Sequence, residues 1–398
     1  MTGAGVGAGA GVVERVNALG ACWGRELGFE GGQVWTALGV WPLLAMLAAG
    51  AGGPARAELE RVLGVPVEQA PSAARELLAQ VRAVPGCAAA LGLWTAREIE
   101  VEPDWVAQLG PALWRQLTGD PAKDRAELDG WARERTGGLI HRMPVETTGA
   151  QLVLASALAV RTSWAELFQE RRGPAADGPW AWQPLRRLSV TSPALFERIA
   201  VAEGSAGPVT EVRVAGAGEV DVHLVLGEPE AAPGAVVAAG FELVSGTTWR
   251  MPMAGLPDGE PWPGLVLETV AASTPRDRGS LETVAFAVGA EHDLLAHAGL
   301  FGLRTAAGAG SHFRGISRST PLRVGQAKQA ATAEFTAKGF EASAVTAVEL
   351  SRGGVGLPGL FRARHATARF DRPFAFLAVH RPTGLVLVAG WVAEPTRA

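Results

Sequence analysis

Residues 152–160 read LVLASALAV, with no charge and a single hydroxyl. A strand with one face in water alternates polar with apolar side chains, and this run does not. It predicts a strand covered on both faces, so the rest of the chain must supply a layer on each side of its sheet. The preceding residues supply helices. Val13, Val16, Leu19 and Trp23 recur every three or four positions, and a second apolar helix is predicted over 36–49. A third starts at Pro54, where the missing N–H is harmless, and helical spacing also marks 72–81, 104–117 and 125–135. After Gly138 short strands take over, at 220–226 and 283–288, with one helix predicted at 291–299. Strands at 374–380 and 385–391 flank RPTG, a hairpin pattern with Gly384 at its corner. Helices first and strands later, without a βαβ rhythm, predict an α+β fold. Gly/Ala-rich residues 1–11 read as a flexible tail, and 12–398 as one domain.

Composition removes several function classes. Of 398 residues, 48% are hydrophobic and 19% charged, with a net charge of −4, so the chain is neither disordered nor built to displace counterions from a nucleic acid. Lys123, Lys328 and Lys338 are the only lysines among 36 basic residues, Tyr is absent, and Asn17 is the only asparagine. This is the usage of GC-rich coding, and the bland role of most arginines is solvation. Cys22 and Cys87 make no disulfide framework and read as small buried thiols, with a single bridge as the alternative. No signal peptide is visible, which places the chain in the cytoplasm on sequence alone. The nearest approach to a membrane span, 35–51, is short and interrupted by glycines and Pro42, so no membrane partner is expected.

No arrangement of an enzyme or a metal site emerges. His292 and His297 are five apart, on different faces of any helix, and His141, His223, His312, His365 and His380 have no carboxylate or thiol at ligand spacing. Neither a GxSxG elbow nor a GxxxxGK[ST] loop occurs. A GxGxxG at Gly354, Gly356 and Gly359 contains Pro358 and precedes no helix, so it reads as a loop. The basic stretch 133–142 reads as a solvated helix end. No cofactor is expected.

One segment is unusual. From Phe340 to Ser351 one period-two face carries Phe340, Ala342, Ala344, Thr346, Val348 and Leu350, and the other carries Glu341, Ser343, Val345, Ala347, Glu349 and Ser351. Both charges share a face, the pattern of a half-buried strand. Yet the residues are small and the segment dissolves into RGGVGLPG. It reads as a loop able to become a strand.

The chain from about Val12 onward resembles the serpins, the serine-protease-inhibitor family, and by composition a prokaryotic type from a GC-rich genome. The resemblance is carried in order by ALGVWPLLAMLAAGAGGPARAELERVLG (37–64), LDGWARERTGGLI (128–140), LVLASALAVRTSW (152–164), FRGIS (313–317) and FDRPFAFLAVHRPTGLVLVAGWVAEP (370–395). It implies helices packed over three β-sheets, with an exposed reactive loop at about 339–362. It also implies a suicide substrate. A protease acylates itself on the loop, the cut loop enters the central sheet as a new strand, and the enzyme is trapped, with no catalytic group supplied by the inhibitor. The alternative within the same resemblance is a non-inhibitory member whose loop is cut without trapping. The implied hinge is Gly339, Phe340, Glu341, Ala342, Ser343, Ala344, Val345, Thr346 and Ala347. The implied shutter positions are Thr36, Gly39, Ser156 and Gln329.

This sequence departs from the family pattern. Ala337 and Lys338 stand where members carry an acidic pair, and Phe340 stands where they carry Thr, Ser or Val. A phenyl ring must find room between two strands before insertion starts, and overpacking costs about 1–3 kcal/mol. Counting forward from Gly339, family spacing ends on Gly353, and since glycine fills no primary pocket, Arg352–Gly353 is the expected reactive bond. Counting back from Phe370 points to 361–362 instead, and Leu350, Leu357 and Arg362 stay open as alternative sites of the cut. An arginine at the cut implies a trypsin-like serine protease as partner, a monomeric inhibitor and, by resemblance, an extracellular setting.

Overall fold

Every residue of the strand Leu152–Val160 is buried in the computed structural model, which describes residues 5–109, 113–138, 140–174, 178–341 and 361–397. Leu152, Leu154, Leu158 and Val160 join the main core, whereas Val153, Ala155 and Ala157 pack with Trp94, Leu128 and Trp131 on the opposite face. The two covering layers are different helices. Ala37–Ala48, buried along its whole length, lies beneath the strand. Pro121–Arg135 lies over it, with Trp131 edge-on to Trp94 at 4.9 Å.

This central sheet places Trp114–Gln116, Cys87–Thr95, Leu152–Val160, Val324–Phe335 and Phe286–Asp293 side by side. Leu152–Val160 and Val324–Phe335 pair directly and parallel, from Val324↔Leu152 to Ala331↔Leu158. A second sheet of seven strands sits behind the buried helix. Its central hairpin, Phe374–His380 and Leu385–Val392, lies between Val220–Gly227 on one side and Gln33–Trp35 on the other. Gly384 turns that hairpin at φ 69°, a conformation open to glycine at no steric cost. The third sheet has the order Leu265–Ala272, Phe361–Arg369, Arg278–Val284, Pro184–Ser192, Gln169–Pro174. It joins the top of the central sheet, since Arg278–Val284 runs through Ala285 straight into Phe286–Asp293. Helices packed over three sheets make the α+β architecture the sequence implied.

Four expectations need correction. The first helix is Gly5–Glu26, so helix extends into the stretch read as a tail; once Val12–Trp23 is docked, adding further residues is cheap. The helix predicted over 104–117 is Pro103–Leu109, followed by the strand Trp114–Gln116, and the sequence Gly110-Pro111 is itself a helix stop. The single strand at 283–288 is two, meeting at Ala285. No helix occupies 291–299. Glu291, His292 and Asp293 continue the ladder opposite Ala330, Gln329 and Lys328, and Lys328 Nζ meets Asp293 Oδ2 at 2.8 Å. Sheet pairing overrides the local helical pattern there.

Candidate functional site

At the top of the central sheet the two parallel strands diverge above Ala331↔Leu158. Between them lies a short strand, Gly339–Glu341, paired on one edge with Val324–Phe335 (Phe335↔Phe340, Glu334↔Glu341) and on the other with Thr162–Ser163. The chain reaches it through a tight reversal in which Thr336 N–H donates to Gly339 O at 2.9 Å. The reversal is pinned from one side, since Trp164 N–H donates to Lys338 O, Phe168 N–H to Ala337 O and Trp164 Nε1 to Thr336 O. Gly339 allows the approach; a Cβ there would stand 2.4 Å from Thr162 O.

Phe340 is 1% exposed. Its ring lies 6.0 Å from that of Phe376 in the second sheet, next to a cluster in which Phe335 contacts Trp164, Phe168 and Phe286. In the uncut chain the ring already has room, between the strands and against the core. Burying a phenyl group stabilises this seat by about 2–3 kcal/mol.

Below the gap, where the two strands pair directly, three of the four expected shutter residues are hydrogen-bonded together and the fourth packs against them. Gln329 Oε1 accepts Thr36 N–H at 2.9 Å, while Gln329 Nε2 donates to Thr36 O at 2.9 Å and to Ser156 Oγ at 3.2 Å. Thr36 Oγ1 donates to Leu387 O at 2.6 Å. Gly39 closes the group by having no side chain, since a Cβ would stand 2.9 Å from Ser156 Oγ and 3.0 Å from Gln329 Nε2. Thr36, Ser156 and Gln329 are all at most 2% exposed, so each polar atom that finds a partner here avoids a desolvation penalty.

Gly339, Phe340 and Glu341 are thus placed in the sheet. Ala342, Ser343, Ala344, Val345, Thr346, Ala347, Arg352 and Gly353 lie outside the described residues. Phe361 and Arg362, the alternative from backward counting, begin the strand Phe361–Arg369, paired with Ala272 and Ala271. Among the described residues no group of three or more His, Cys, Asp or Glu could hold a metal ion, and no helix is long and apolar enough to cross a membrane. Cys22 and Cys87 are both free thiols; Cys22 is exposed, against expectation, and burial pushes the Cys87 thiol up to about 12.

Sequence reasoning missed the far side of the third sheet. Leu265–Ala272 pairs with Phe361–Arg369 over its whole length, from Leu265↔Ala368 to Ala272↔Phe361. The signal was available, because Leu265 and Leu267 are buried between exposed Val266 and Glu268. At its centre Arg364, opposite Thr269, donates from Nε to Asp258 Oδ1 at 3.0 Å and from its terminal nitrogens to the carbonyls of Met253, Ala254 and Leu256. Thr269 Oγ1 donates to Asp258 Oδ2 at 2.6 Å. That bond, with the Arg364 guanidinium, holds the Asp258 carboxyl below its ordinary value.

The fold has many solved counterparts. Native protease nexin-1 with heparin matches at a TM-score of 0.71 and 18% identity over 97% of this chain and 100% of that one. The native thermophilic serpin tengpin matches at 0.74 and 12%, over 99% and 95%. Human thyroxine-binding globulin, complexed with its hormone, matches at 0.72 and 15%, over 98% and 99%. At sequence level the family model for serpin (serine protease inhibitor) matches residues 30–176 and 281–395, and on that match the chain belongs to the serpin family.

Proposed function

We propose that this chain is an inhibitory serpin: a suicide substrate cut after Arg352 by a trypsin-like serine protease, which it then traps as the acyl-enzyme when residues 342–351 enter the central sheet. The observation that carries the reading is the register of Gly339–Glu341. Phe335↔Phe340 and Glu334↔Glu341 already define an antiparallel strand in the gap. Continued downward, that register sets Ala342 opposite Ala333 and Ser351 opposite Val324, the last residue of the neighbouring strand. Arg352 is then the first residue beyond the sheet, where a tethered enzyme would sit.

The side-chain pattern supports the same register. Phe340 points into the core, so residues of its parity follow it inward: Ala342, Ala344, Thr346, Val348 and Leu350. By the same parity, insertion in this register would set Glu341 and Glu349 on the outer face. No charge need be buried. The seating of Phe340 also means that the hardest side chain of the hinge is already in place before any cut.

The test is to mix the protein with trypsin, resolve the products by denaturing electrophoresis, and weigh any released peptide. A complex that survives boiling in detergent, with a peptide beginning at Gly353, is the expected result. Clean cleavage with trypsin left active, and no rise in Tm of the cut protein, would overturn it in favour of a member whose loop is cut without trapping.

A further inference from the structure

The strand Phe361–Arg369 is the first described element after the segment read above as the reactive loop. It runs parallel to Arg278–Val284, with Arg369 opposite Glu282 and His365 opposite Arg278. Arg278–Val284 ends at the top of the central sheet, so Phe361 lies at the end of its own strand farthest from that sheet. Eight strand steps separate Phe361 from Arg369, about 26 Å at roughly 3.3 Å per residue.

That geometry sets a length problem for an uncut chain. A strand laid along the 12 residues of Val324–Phe335 descends about 40 Å. Residues 352–360 would have to climb back from its foot to Phe361, and fully extended they span about 30 Å. The return path, about 40 Å up and then outward along the third sheet, is longer than that. So the intact loop enters only if Phe361–Arg369 first leaves its sheet. Once the loop is cut, nothing has to climb back and the strand can stay where it is.

In this chain leaving is obstructed on both edges. One edge is the parallel ladder to Arg278–Val284, extended by Arg364 N–H to Asp277 Oδ1 at 2.7 Å. The other is the full-length antiparallel ladder to Leu265–Ala272, a strand that lies outside the residues matching the family model. Arg364 then threads its guanidinium into the turn 253–258, where three carbonyls and the Asp258 carboxylate accept from it, and it stacks 6.0 Å from the Phe196 ring. A planar fork with five donors suits such a nest, whereas a lysine would satisfy one or two of these acceptors.

We propose that the strand Leu265–Ala272, latched by Arg364, locks the distal base of the reactive loop in place, so that the central sheet accepts the loop after cleavage but not before it. Arg364 is here a positioning residue: it touches no protease and acts through the strand it sits on. The inference rests on the inhibitory reading above, and it extends that reading to how the uncut protein keeps its activity over time.

The experiment uses the full chain, warmed below its unfolding temperature, with three readouts against time. These are the capacity to form the detergent-stable trypsin complex, the Tm of protein still intact by mass, and hydrogen exchange of the amides in 361–369. Parent protein should keep its capacity, with 361–369 slow to exchange. Arg364→Ala should lose capacity and acquire the high Tm of the inserted form at least about tenfold faster, with exchange raised to match, because several hydrogen bonds of roughly 1 kcal/mol each are lost. Arg364→Lys should fall between. A disulfide between register partners, Ala271→Cys with Arg362→Cys, placed in the Arg364→Ala background should restore the slow rate when oxidised and not when reduced, which separates locking from a general loss of fold. If Arg364→Ala exchanges and converts at the parent rate, or the oxidised bridge does not slow it, the lock is wrong. Failure of the inhibitory reading looks different: the parent forms no complex and gains no Tm on cleavage. In that case the lock on loop entry falls with it, and the exchange of 361–369 in Arg364→Ala against parent reads only whether Arg364 latches the strand.

Discussion

Gln329 and Ser156 are register partners on the two parallel strands of the central sheet, and the Gln329 side-chain amide donates to Ser156 Oγ at 3.2 Å. The same amide closes a two-way bond with the backbone of Thr36 at the start of the buried helix. One side chain thereby ties both strands to the element beneath them. Gln329→Leu should strand the Thr36 N–H in apolar surroundings, at a cost of about 1–3 kcal/mol. Thermal unfolding of the uncut protein should then begin several degrees lower, and an unchanged Tm would show that the amide does not hold the strands together.

The same register predicts who takes over from Ser156. A strand continuing Phe335↔Phe340 sets Thr346 opposite Gln329, and Thr346 is the one polar residue among those that share the inward parity of Phe340. Thr346→Val should leave the uncut protein unaltered and lower the Tm of the cleaved protein. Thr346→Arg should force a charge into the core and, on the proposed inhibitory reading, abolish trapping, read as cleaved chain with trypsin still active. Normal trapping by Thr346→Arg would mean that the register is different.

Phe340 stabilises the state in which it is seen. Phe340→Ala removes a fully buried ring, a change that typically costs about 3–5 kcal/mol. Hydrogen exchange at Gly339–Glu341 should rise, and the uncut Tm should fall. Phe340→Thr, the residue more usual in the family, should not speed formation of the trypsin complex, because the ring is no obstacle once seated. A faster complex in Phe340→Thr would restore the view that the ring hinders insertion.

Gly39 has a prediction of its own. A Cβ at this position would meet both Ser156 Oγ and Gln329 Nε2. Gly39→Ser alone should destabilise by about 1–3 kcal/mol through overpacking. Combined with Gln329→Ala, which vacates the space, the penalty should shrink, and a double-mutant cycle on Tm measures the coupling.

Acid should weaken the second sheet through Glu211. Burial alone would raise its pKa, but His223 Nδ1 at 2.6 Å and Arg250 Nε at 2.8 Å outweigh that and hold it at about 2, against 4.5 when unfolded. A carboxylate depressed in the folded state contributes stability that is complete above the unfolded value and lost as pH falls from 4.5 toward 2. The parent Tm should therefore drop across that window. Glu211→Gln should start lower at pH 7 and show a shallower decline; an identical slope would remove Glu211 from the account.

Much of this was legible in the sequence because it is written in periodicity. The uncharged run at 152–160, the helices over 37–48 and 121–135, and the terminal hairpin are repeated patterns that local physics decides. The buried group of Thr36, Ser156 and Gln329 became legible only through resemblance, since nothing in their spacing brings Thr36 to Gln329. What stayed hidden depends on pairing between distant segments. His292 and Asp293 are in a strand because Gln329 and Lys328 lie opposite, not because of their neighbours in sequence. The seat of Phe340 is formed by Thr162, Phe335 and Phe376, three separate elements. Arg364 looked like any arginine in an arginine-rich chain until the turn 253–258 was folded around it.

The order of strands in the second sheet also has a consequence for biosynthesis. Phe374–His380 and Leu385–Val392 are made long after the strands Gln33–Trp35 and Val220–Gly227 that flank them. Asn17 in the first helix likewise waits for Gly384 and Val386 to satisfy its amide. Until residues 374–392 leave the ribosome, the nascent chain must hold open a two-strand slot in the middle of its largest apolar core. A ribosome paused before Phe374 would therefore display an unfilled, aggregation-prone sheet, and it is at this stage of synthesis that the chain would most need a chaperone.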